Sequence, residues 1–403
     1  MLIHASHVLT MREGATSAPA TLRIEGERIT ELAPYQGLEA RSGEEVMTLD
    51  RHVLMPGLIN AHCHLDYTGF KGSIFAGKGF TEWIKTINAL KLSYTPDDYL
   101  AAIQSGFEQL KQSGCTTVLN IEAFPELLLR LGPPPIRTWW FLELIDLRNR
   151  IGQDDTLMGA LTFFQGQPGW LGGFGLSPHA PYTSSVELYR LAKHCSDELG
   201  LPITTHIAES VEEQEMFLYG EGPMYNFLQS IGRDMQDCGQ GSALSHLMEF
   251  GLLSGKCLSV HMNYLQHYDF QALRENPLNV VHCPGCHAYF GHARFPLEQL
   301  REAGCRISIG TDSLASNDTL DLRKEIRRAR LNYPEVSARE WLHMVTTAPA
   351  QALGMESELG VIAPGALADL IAFPLPERTD PFEAVIQSQE APVLFMVNGG
   401  CGS

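Results

Sequence analysis

The chain has 403 residues, of which 44% are hydrophobic and 19% charged, and its formal net charge is −18 at pH 7. This composition is typical of a globular protein that is long enough to bury a large core. The acidic balance repels phosphate backbones and anionic surfaces, and no apolar run approaches a membrane span, so we expect neither nucleic acid nor a membrane as a partner. Nine scattered cysteines and an N-terminus without a signal-peptide pattern predict a cytoplasmic protein with reduced thiols.

Both ends of the chain carry short strand patterns separated by turns. At the N-terminal end these are LIHASHVLT, TLRIEG and RITELAP, and at the C-terminal end they are GVIAPGALADLIAFPL and APVLFMVNGG. Neither end has an obvious core of its own. We therefore predict that residues 1–55 and 359–403 together form one small β-sandwich domain.

Between these ends, residues 56–358 alternate strand and helix patterns, as is typical of a parallel sheet. Helical periodicity is clear in PDDYLAAIQSGFEQLKQSG, and two further helices begin with capping-box patterns, Ser184 with Glu187 and Ser337 with Glu340. Eight strand–helix units predict an α/β protein with a (β/α)₈ TIM-type barrel. The eight strand candidates are GLINAHCH, CTTVLNIE, RTWWFLELI, GGFGLSPHA, PITTHIAES, CLSVHMNYL, LNVVHCP and CRISIGTDS.

Histidines and carboxylates stand at or near the carboxyl ends of these strands, where such barrels place their chemistry. Any one of them could be an ordinary hydrogen-bonded or helix-capping residue, but together at one rim they indicate a site. The residues are His62, His64, His179, His206, Glu209, His261, His282 and Asp312.

His62 and His64 are two residues apart on a strand, so their side chains share a face. Three histidines and one carboxylate suit a divalent ion such as Zn²⁺ or Fe²⁺, which lowers the pKa of water from about 15.7 toward ~7. Glu209 is close enough to His206 to take a proton from that water and pass it to a leaving group. His261 and Asp312 could hold the attacking oxygen. The pattern favours hydrolysis at an electrophilic carbon.

The motifs PGLINAHCHLD, HIAES, SVHMNYL, HCPGCH and GTDSLASN, in this order, resemble the amidohydrolase superfamily. More narrowly they resemble its branch of cytosine, guanine and adenosine-derivative deaminases and chlorotriazine hydrolases. The stretch CHAYFGH is similar to aminodeoxyfutalosine deaminases. The resemblance covers essentially the whole chain, because GVIAPGALADLIAF matches the return into the terminal β-domain.

The resemblance implies Glu209 as proton shuttle, His261 as the residue that polarises substrate or water, and His179 as a substrate contact. Asp312 could both bind the metal and carry a second proton. Two-metal members carry a lysine at the end of strand four, where this chain has GFGLSPHA, so the resemblance implies one divalent ion: zinc, with iron or manganese as alternatives. The implied metal ligands are His62, His64, His206 and Asp312.

Five further residues are candidates for substrate binding. Trp83 matches a tryptophan that covers the substrate in relatives, or it is a core residue of an amphipathic helix. Glu82 could bind ribose hydroxyls. Arg148, with Arg150, could bind an anionic tail, unless both are solvated loop residues. His287 could face the substrate or belong to a surface loop.

The string CPGCH also matches a c-type haem attachment motif, which we reject because no export signal precedes it. A redox or zinc role for Cys283 and Cys286 is a weaker alternative. Relatives usually place small polar residues near Cys286 and His287, so this chain departs from the family there.

We therefore predict a metal-dependent hydrolytic deaminase that releases ammonia from a purine, an adenosine derivative or a similar amino-heterocycle. A chlorohydrolase or an amide or cyclic-amide hydrolase with the same metal site is the alternative. A non-enzymatic metal-binding scaffold is the remote one, since it would need neither Glu209 nor His261. The expected partner is a small-molecule substrate, and relatives suggest a homodimer.

Overall fold

The computed structural model describes residues 1–14, 16–147, 159, 162–163, 166–167, 169–253 and 255–401. Within them the strands form two separate sheets, and helices connect the strands of the second sheet. In chain order the strands are β1 (Leu2–Val8), β2 (Ala18–Glu25), β3 (Arg28–Pro34), β4 (Val46–Pro56), β5 (Leu58–His64), β6 (Cys115–Glu122), β7 (Arg137–Leu144), β8 (Gly172–Pro178), β9 (Ile203–Ile207), β10 (Cys257–His261), β11 (Asn279–His282), β12 (Arg306–Ile309), β13 (Asp312–Ser313), β14 (Leu370–Pro374), β15 (Leu394–Val397) and β16 (Gly400–Cys401).

Along the chain, helices follow most strands of the second sheet, and most of these helices are short. Three short 3₁₀ helices are also present among the described residues: Leu65–Phe70, Ala76–Lys78 and Pro125–Arg130. The α-helices are α1 (Phe80–Lys91), α2 (Pro96–Ser113), α3 (Val186–Leu199), α4 (Val211–Tyr219), α5 (Pro223–Ser230), α6 (Ala243–Glu249), α7 (His267–Glu275), α8 (Pro284–Phe290), α9 (Leu297–Glu302), α10 (Leu322–Arg330), α11 (Ala338–His343), α12 (Thr347–Ala352) and α13 (Pro381–Gln387).

The first sheet contains strands from both ends of the chain, in the order β16-β15-β14-β4-β1-β2-β3. Its apolar residues, such as Ile3, Leu22, Leu370 and Met396, are buried in one cluster. Instead of the two facing sheets of the predicted sandwich, hydrogen bonds join all seven described strands into one sheet. The reason is the length of β4, which pairs with β1 over most of its course and with β14 at its carboxyl end.

The second sheet is parallel throughout and runs in the order β12-β11-β10-β9-β8-β7-β6-β5-β13. Its strands coincide with the eight strand candidates, the eighth being divided between β12 and β13. Because β12 pairs with β11 and β13 pairs with β5, the last strand returns to the first. The sheet is therefore curled, and the carboxyl ends of its strands meet at one rim.

Helix starts confirm one capping prediction and correct the other. Ser337 and Glu340 form the expected capping box at the start of α11, with each side chain accepting from the other's backbone N–H. The prediction of Ser184 as a cap is wrong. Ser185 caps α3 by accepting from Leu188 N at 3.1 Å, whereas Ser184 Oγ donates to the Leu144 carbonyl.

The two sheets are joined by a buried ion pair as well as by the chain that leads from β4 to β5. Arg137, the first residue of β7, donates from Nε to Asp369 Oδ2 at 2.8 Å, and both side chains are buried. Asp369 precedes β14 and also accepts from Asn398 N. The second sheet and the first sheet therefore share a buried charged contact.

In the part of the chain that the structure describes, no helix is both long enough and apolar enough to cross a membrane.

Candidate metal centre and active site

Four of the predicted residues come together at the rim. His62 and His64 end β5, His206 lies on β9, and Asp312 begins β13. One ligand atom from each lies within 4.8 Å of the others, and all four side chains are buried. His64 Nε2 is 3.3 Å from His206 Nε2, and His62 Nε2 is 3.4 Å from Asp312 Oδ1.

The donor set fits a divalent metal ion. Both ring nitrogens of His62 and Nδ1 of His64 are buried without a hydrogen-bond partner among the described residues, which is costly unless something binds them. His206 Nδ1 lies 2.8 Å from the His179 carbonyl, so it donates there and leaves the Nε2 lone pair directed at the cluster. Three imidazoles and one carboxylate are a common ligand set for zinc and related ions.

The charge states also suit a metal. Burial lowers the pKa of His64 well below its usual range and that of His206 to about 3, so both rings are neutral. Burial would raise the pKa of Asp312, but the histidine rings around its carboxylate, with His62 Nε2 at 3.4 Å, outweigh burial and hold that pKa well below the usual range. Neutral imidazoles and an ionised carboxylate are the forms that bind metals.

Two more predicted residues lie beside this cluster. Glu209 Oε2 is 3.5 Å from His261 Nε2, and both side chains are buried. Burial raises the pKa of Glu209 well above its usual range, and the neighbouring charge of Asp312 adds to the effect. Burial lowers the pKa of His261. A carboxyl group with a raised pKa is suited to proton transfer near neutral pH.

A residue that the sequence analysis did not single out, Glu213, holds Glu209 in place. Its carboxylate accepts from Ala208 N at 2.9 Å and from Glu209 N at 2.8 Å. Asn263 Nδ2 donates to the Glu209 carbonyl at 2.9 Å. The pattern Ser210-x-x-Glu213 was the available signal, because it is the pattern of a capping box.

The backbone at the rim is strained where it carries these side chains. Ala208, His261, Met262 and Asp312 all have positive φ, between 52° and 76°, a region that residues with side chains rarely adopt. Such conformations cluster at functional sites, where the surrounding fold imposes them. Gly310 allows the close approach of β13 to β5, since a Cβ there would lie 2.8 Å from His62 Cβ.

A cavity of about 880 Å³ opens onto these residues. His64, His206, Glu209, His261 and Asp312 all line it. Much of the remaining wall is aromatic or aliphatic, and it includes Tyr67, Phe80, Met224, Phe227 and Leu228. A large apolar cavity with a few polar groups at one place is the usual form of a small-molecule site.

The structure separates the predicted substrate contacts into three groups. His179 and Trp83 line the cavity. Glu82 and His287 do not: the Glu82 carboxylate is exposed and pairs with Lys85 at 2.6 Å, and His287 Nε2 lies 2.8 Å from the Ala293 carbonyl. Arg148 and Arg150 lie outside the described residues.

Comparison with known proteins agrees with the motifs. The model of the amidohydrolase family matches residues 53–400. The chain belongs to the amidohydrolase family. The resemblance seen in its sequence motifs is thereby confirmed, and the chain is a hydrolase.

Proteins similar to this chain include two deaminases and a chlorohydrolase. The chain is 28% identical over 374 residues to a 5-methylthioadenosine/S-adenosylhomocysteine deaminase of Pyrococcus furiosus, covering 88% of this chain and 82% of that protein. The structure of Helicobacter pylori aminofutalosine deaminase superposes with a TM-score of 0.88 at 21% identity, covering 100% of both chains. Atrazine chlorohydrolase of Arthrobacter aurescens, complexed with zinc, gives a TM-score of 0.80 at 20% identity, covering 99% of this chain and 94% of that one. The two structural likenesses show the amidohydrolase fold.

Proposed function

We propose that this amidohydrolase is a hydrolytic deaminase of adenosine derivatives. The observation that carries the proposal is the pair of Glu209 and His261, 3.5 Å apart and buried, beside a four-residue metal-ligand cluster in a large cavity. A purely structural metal would need neither side chain. The relative from Pyrococcus furiosus is named for deamination of methylthioadenosine and S-adenosylhomocysteine, which supports ammonia as the leaving group.

The chemistry divides among the residues at the rim. His62, His64, His206 and Asp312 would hold one divalent ion, zinc by preference, which lowers the pKa of water and so supplies a nucleophile at neutral pH. Glu209 would receive the proton lost by that water and donate it to the ring nitrogen. A second proton, from the hydroxyl group that has become bonded to the carbon, would pass to the amino group, which then leaves as ammonia while the new C–O bond becomes a carbonyl.

His261 and Asp312 would complete this arrangement around the reacting carbon. The neutral His261 ring lies next to Glu209 and would orient the attacking oxygen or polarise the substrate. Asp312 Oδ2 accepts from Ser316 Oγ at 3.1 Å, a bond that fixes the carboxylate plane, and its ionised state makes it a second proton acceptor.

The wall of the cavity favours a substrate that carries an acidic tail. Lys91, in the last turn of α1, lines the cavity together with Asn88, one helical turn earlier. The Lys91 ammonium lies 4.4 Å from the centroid of the Tyr67 ring, a contact that leaves its hydrogen-bond donors free to meet a carboxylate. Glu143, on the same wall, would accept hydrogen bonds from ribose hydroxyls.

The proposal includes the finer architecture. We take the curled parallel sheet and its helices as a closed (β/α)₈ barrel over residues 56–358, because β13 pairs with β5. Residues 1–55 and 359–403 would form the composite β-domain, since their strands share one sheet.

Ammonia release tests this function. Purified protein reconstituted with zinc is incubated with adenosine, methylthioadenosine, S-adenosylhomocysteine and aminofutalosine, and separately with a chlorotriazine and a cyclic amide. We expect ammonia from at least one adenosine derivative, and a decrease of about 10²–10⁴-fold in the Glu209→Gln variant at unchanged metal content. Chloride release or ring opening without ammonia would mean that the protein is a chlorohydrolase or a cyclic-amide hydrolase and not a deaminase. No turnover of any substrate by metal-loaded protein would contradict the proposal.

A further inference from the structure

A second group of potential metal ligands lies next to the first. It consists of Glu209, His261 and Cys286, and one ligand atom from each lies within 4.8 Å of the others. All three side chains are buried, Cys286 completely. The sulfur belongs to α8, on the loop after β11, so a third part of the rim contributes to this group.

The His261 ring gives an independent sign of a missing ligand, because one of its nitrogens lacks a partner. His261 Nε2 is buried and forms no hydrogen bond in the part of the chain that the structure describes. It lies 3.5 Å from Glu209 Oε2, farther than a hydrogen bond of ordinary length. A buried ring nitrogen in this condition is costly unless a ligand binds it.

The sulfur is held rigidly where it can complete the group. Gly285 packs so closely on Asn317 that a Cβ at position 285 would lie 2.3 Å from Asn317 Oδ1. Gly285 N donates to Glu325 Oε2, and Asn317 Nδ2 donates to Glu325 Oε1 at 3.0 Å. These contacts fix the start of α8, so the position of Cys286 is set by the fold.

We propose that Glu209, His261 and Cys286 form a second, inhibitory site for one thiophilic divalent cation such as Zn²⁺ or Cd²⁺. A carboxylate, an imidazole and a thiolate are three ligands of the kind such ions prefer, and they leave a fourth position for water. As the metal–sulfur bond forms, the Cys286 thiol releases its proton to solvent. Any proton held by the Glu209 carboxyl group is released in the same way, so one negative charge on Glu209 and one on the sulfur balance the cation.

Occupation of this site would stop the chemistry assigned to Glu209, and this consequence rests on the proposed function. A carboxylate bound to a cation cannot shuttle a proton, and His261 would be held by the same ion. Binding itself does not depend on which reaction the protein catalyses. It is therefore measured directly, without an activity assay.

Cadmium titration provides that measurement. Protein carrying one zinc per chain, verified by elemental analysis, is titrated with Cd²⁺ while the ultraviolet absorption from sulfur-to-cadmium charge transfer is recorded. We expect absorption to rise until one cadmium is bound per chain, with zinc retained. The Cys286→Ser variant should lose this rise. The matched control is Cys283→Ser, because Cys283 is also buried in the same loop but is not part of the group.

X-ray absorption at the cadmium edge of the wild-type protein gives a second measurement that needs no variant. One sulfur together with nitrogen and oxygen neighbours is expected. Equal absorption in all three proteins, no rise in any of them, or a cadmium ion with only oxygen and nitrogen neighbours would overturn the proposal. If cadmium binds as expected but no adenosine derivative is deaminated, the site stands and the proposed function fails.

Discussion

Glu213 shows how a single buried residue organises the rim. Its carboxylate occupies the two backbone N–H groups of Ala208 and Glu209, and burial raises its pKa to about 7. An acid whose pKa is raised in the folded state stabilises the fold most below its unfolded pKa, near 4.5, and loses that contribution as the pH rises through about 7.

We therefore expect Glu213→Gln to change the pH dependence of stability. The free energy of unfolding of the wild type, relative to the variant, should fall by about 3 kcal/mol between pH ~4.5 and pH ~7. Urea denaturation of both proteins across this range measures the difference. A difference that is constant with pH would mean that Glu213 ionises normally in the fold.

Lys91 is the residue that should distinguish acidic from neutral substrates. A charged hydrogen bond contributes about 1.5–3 kcal/mol, so Lys91→Met should raise KM for a substrate with a carboxylate tail by about tenfold or more. KM for methylthioadenosine, which has no such group, should change by less than about twofold.

Lys78→Met is the matched control for that comparison, because Lys78 is exposed and does not line the cavity. Steady-state kinetics of the wild type, Lys91→Met and Lys78→Met with both substrates measure these KM values. Equal changes in KM for both substrates would mean that Lys91 supports the cavity wall and does not bind the carboxylate.

At the scale of elements, helix α1 explains why one predicted contact fails to reach the cavity. Trp83, Ile87 and Lys91 recur every four residues and share the face that lines the cavity. Glu82 is one residue off this face, and its half-exposed carboxylate pairs with Lys85, which does line the cavity. The motif therefore identified the helix that lines the cavity, and the binding of ribose hydroxyls by Glu82 stays a prediction.

The start of α11 offers a test at the same scale. Ser337 Oγ accepts from Glu340 N, and the Glu340 carboxylate accepts from Ser337 N at 3.0 Å. Ser337→Ala should lower the free energy of unfolding by about 1 kcal/mol, and Ser337→Thr should recover most of it, because Thr also caps helices. Urea denaturation measures these differences. Equal stability of all three proteins would mean that the capping box contributes nothing to the free energy of unfolding.

Strands were the most predictable elements, because their apolar runs end at polar residues and alternate with helical patterns. Two features depended on tertiary contacts that no local pattern contains. One is the length of β4, which joins strands from both ends of the chain into one sheet. The other is the turn of His287 toward the Ala293 carbonyl, which takes its ring away from the cavity.

At the scale of the whole molecule, the pair of Arg137 and Asp369 couples the two sheets. Both side chains are buried, so removing one partner leaves an unpaired charge. Arg137→Met should lower the free energy of unfolding by about 3–5 kcal/mol, as measured by urea denaturation. The double variant with Asp369→Leu should recover much of the loss. A cost below about 1 kcal/mol for the single variant would show that the sheets are held together without this pair.

Deamination would depend on the whole molecule, because metal ligands from three strands, β5, β9 and β13, must meet at one cavity for an amino group to be replaced by oxygen. Turnover of the best adenosine derivative in ¹⁸O-labelled water, with ammonia and product mass measured together, tests it most directly. We expect one labelled oxygen in each product molecule, equal amounts of ammonia and product, and a rate of formation of both that is about 10²–10⁴-fold lower in the Glu209→Gln variant. Ammonia without labelled product, or undiminished turnover by that variant, would contradict it.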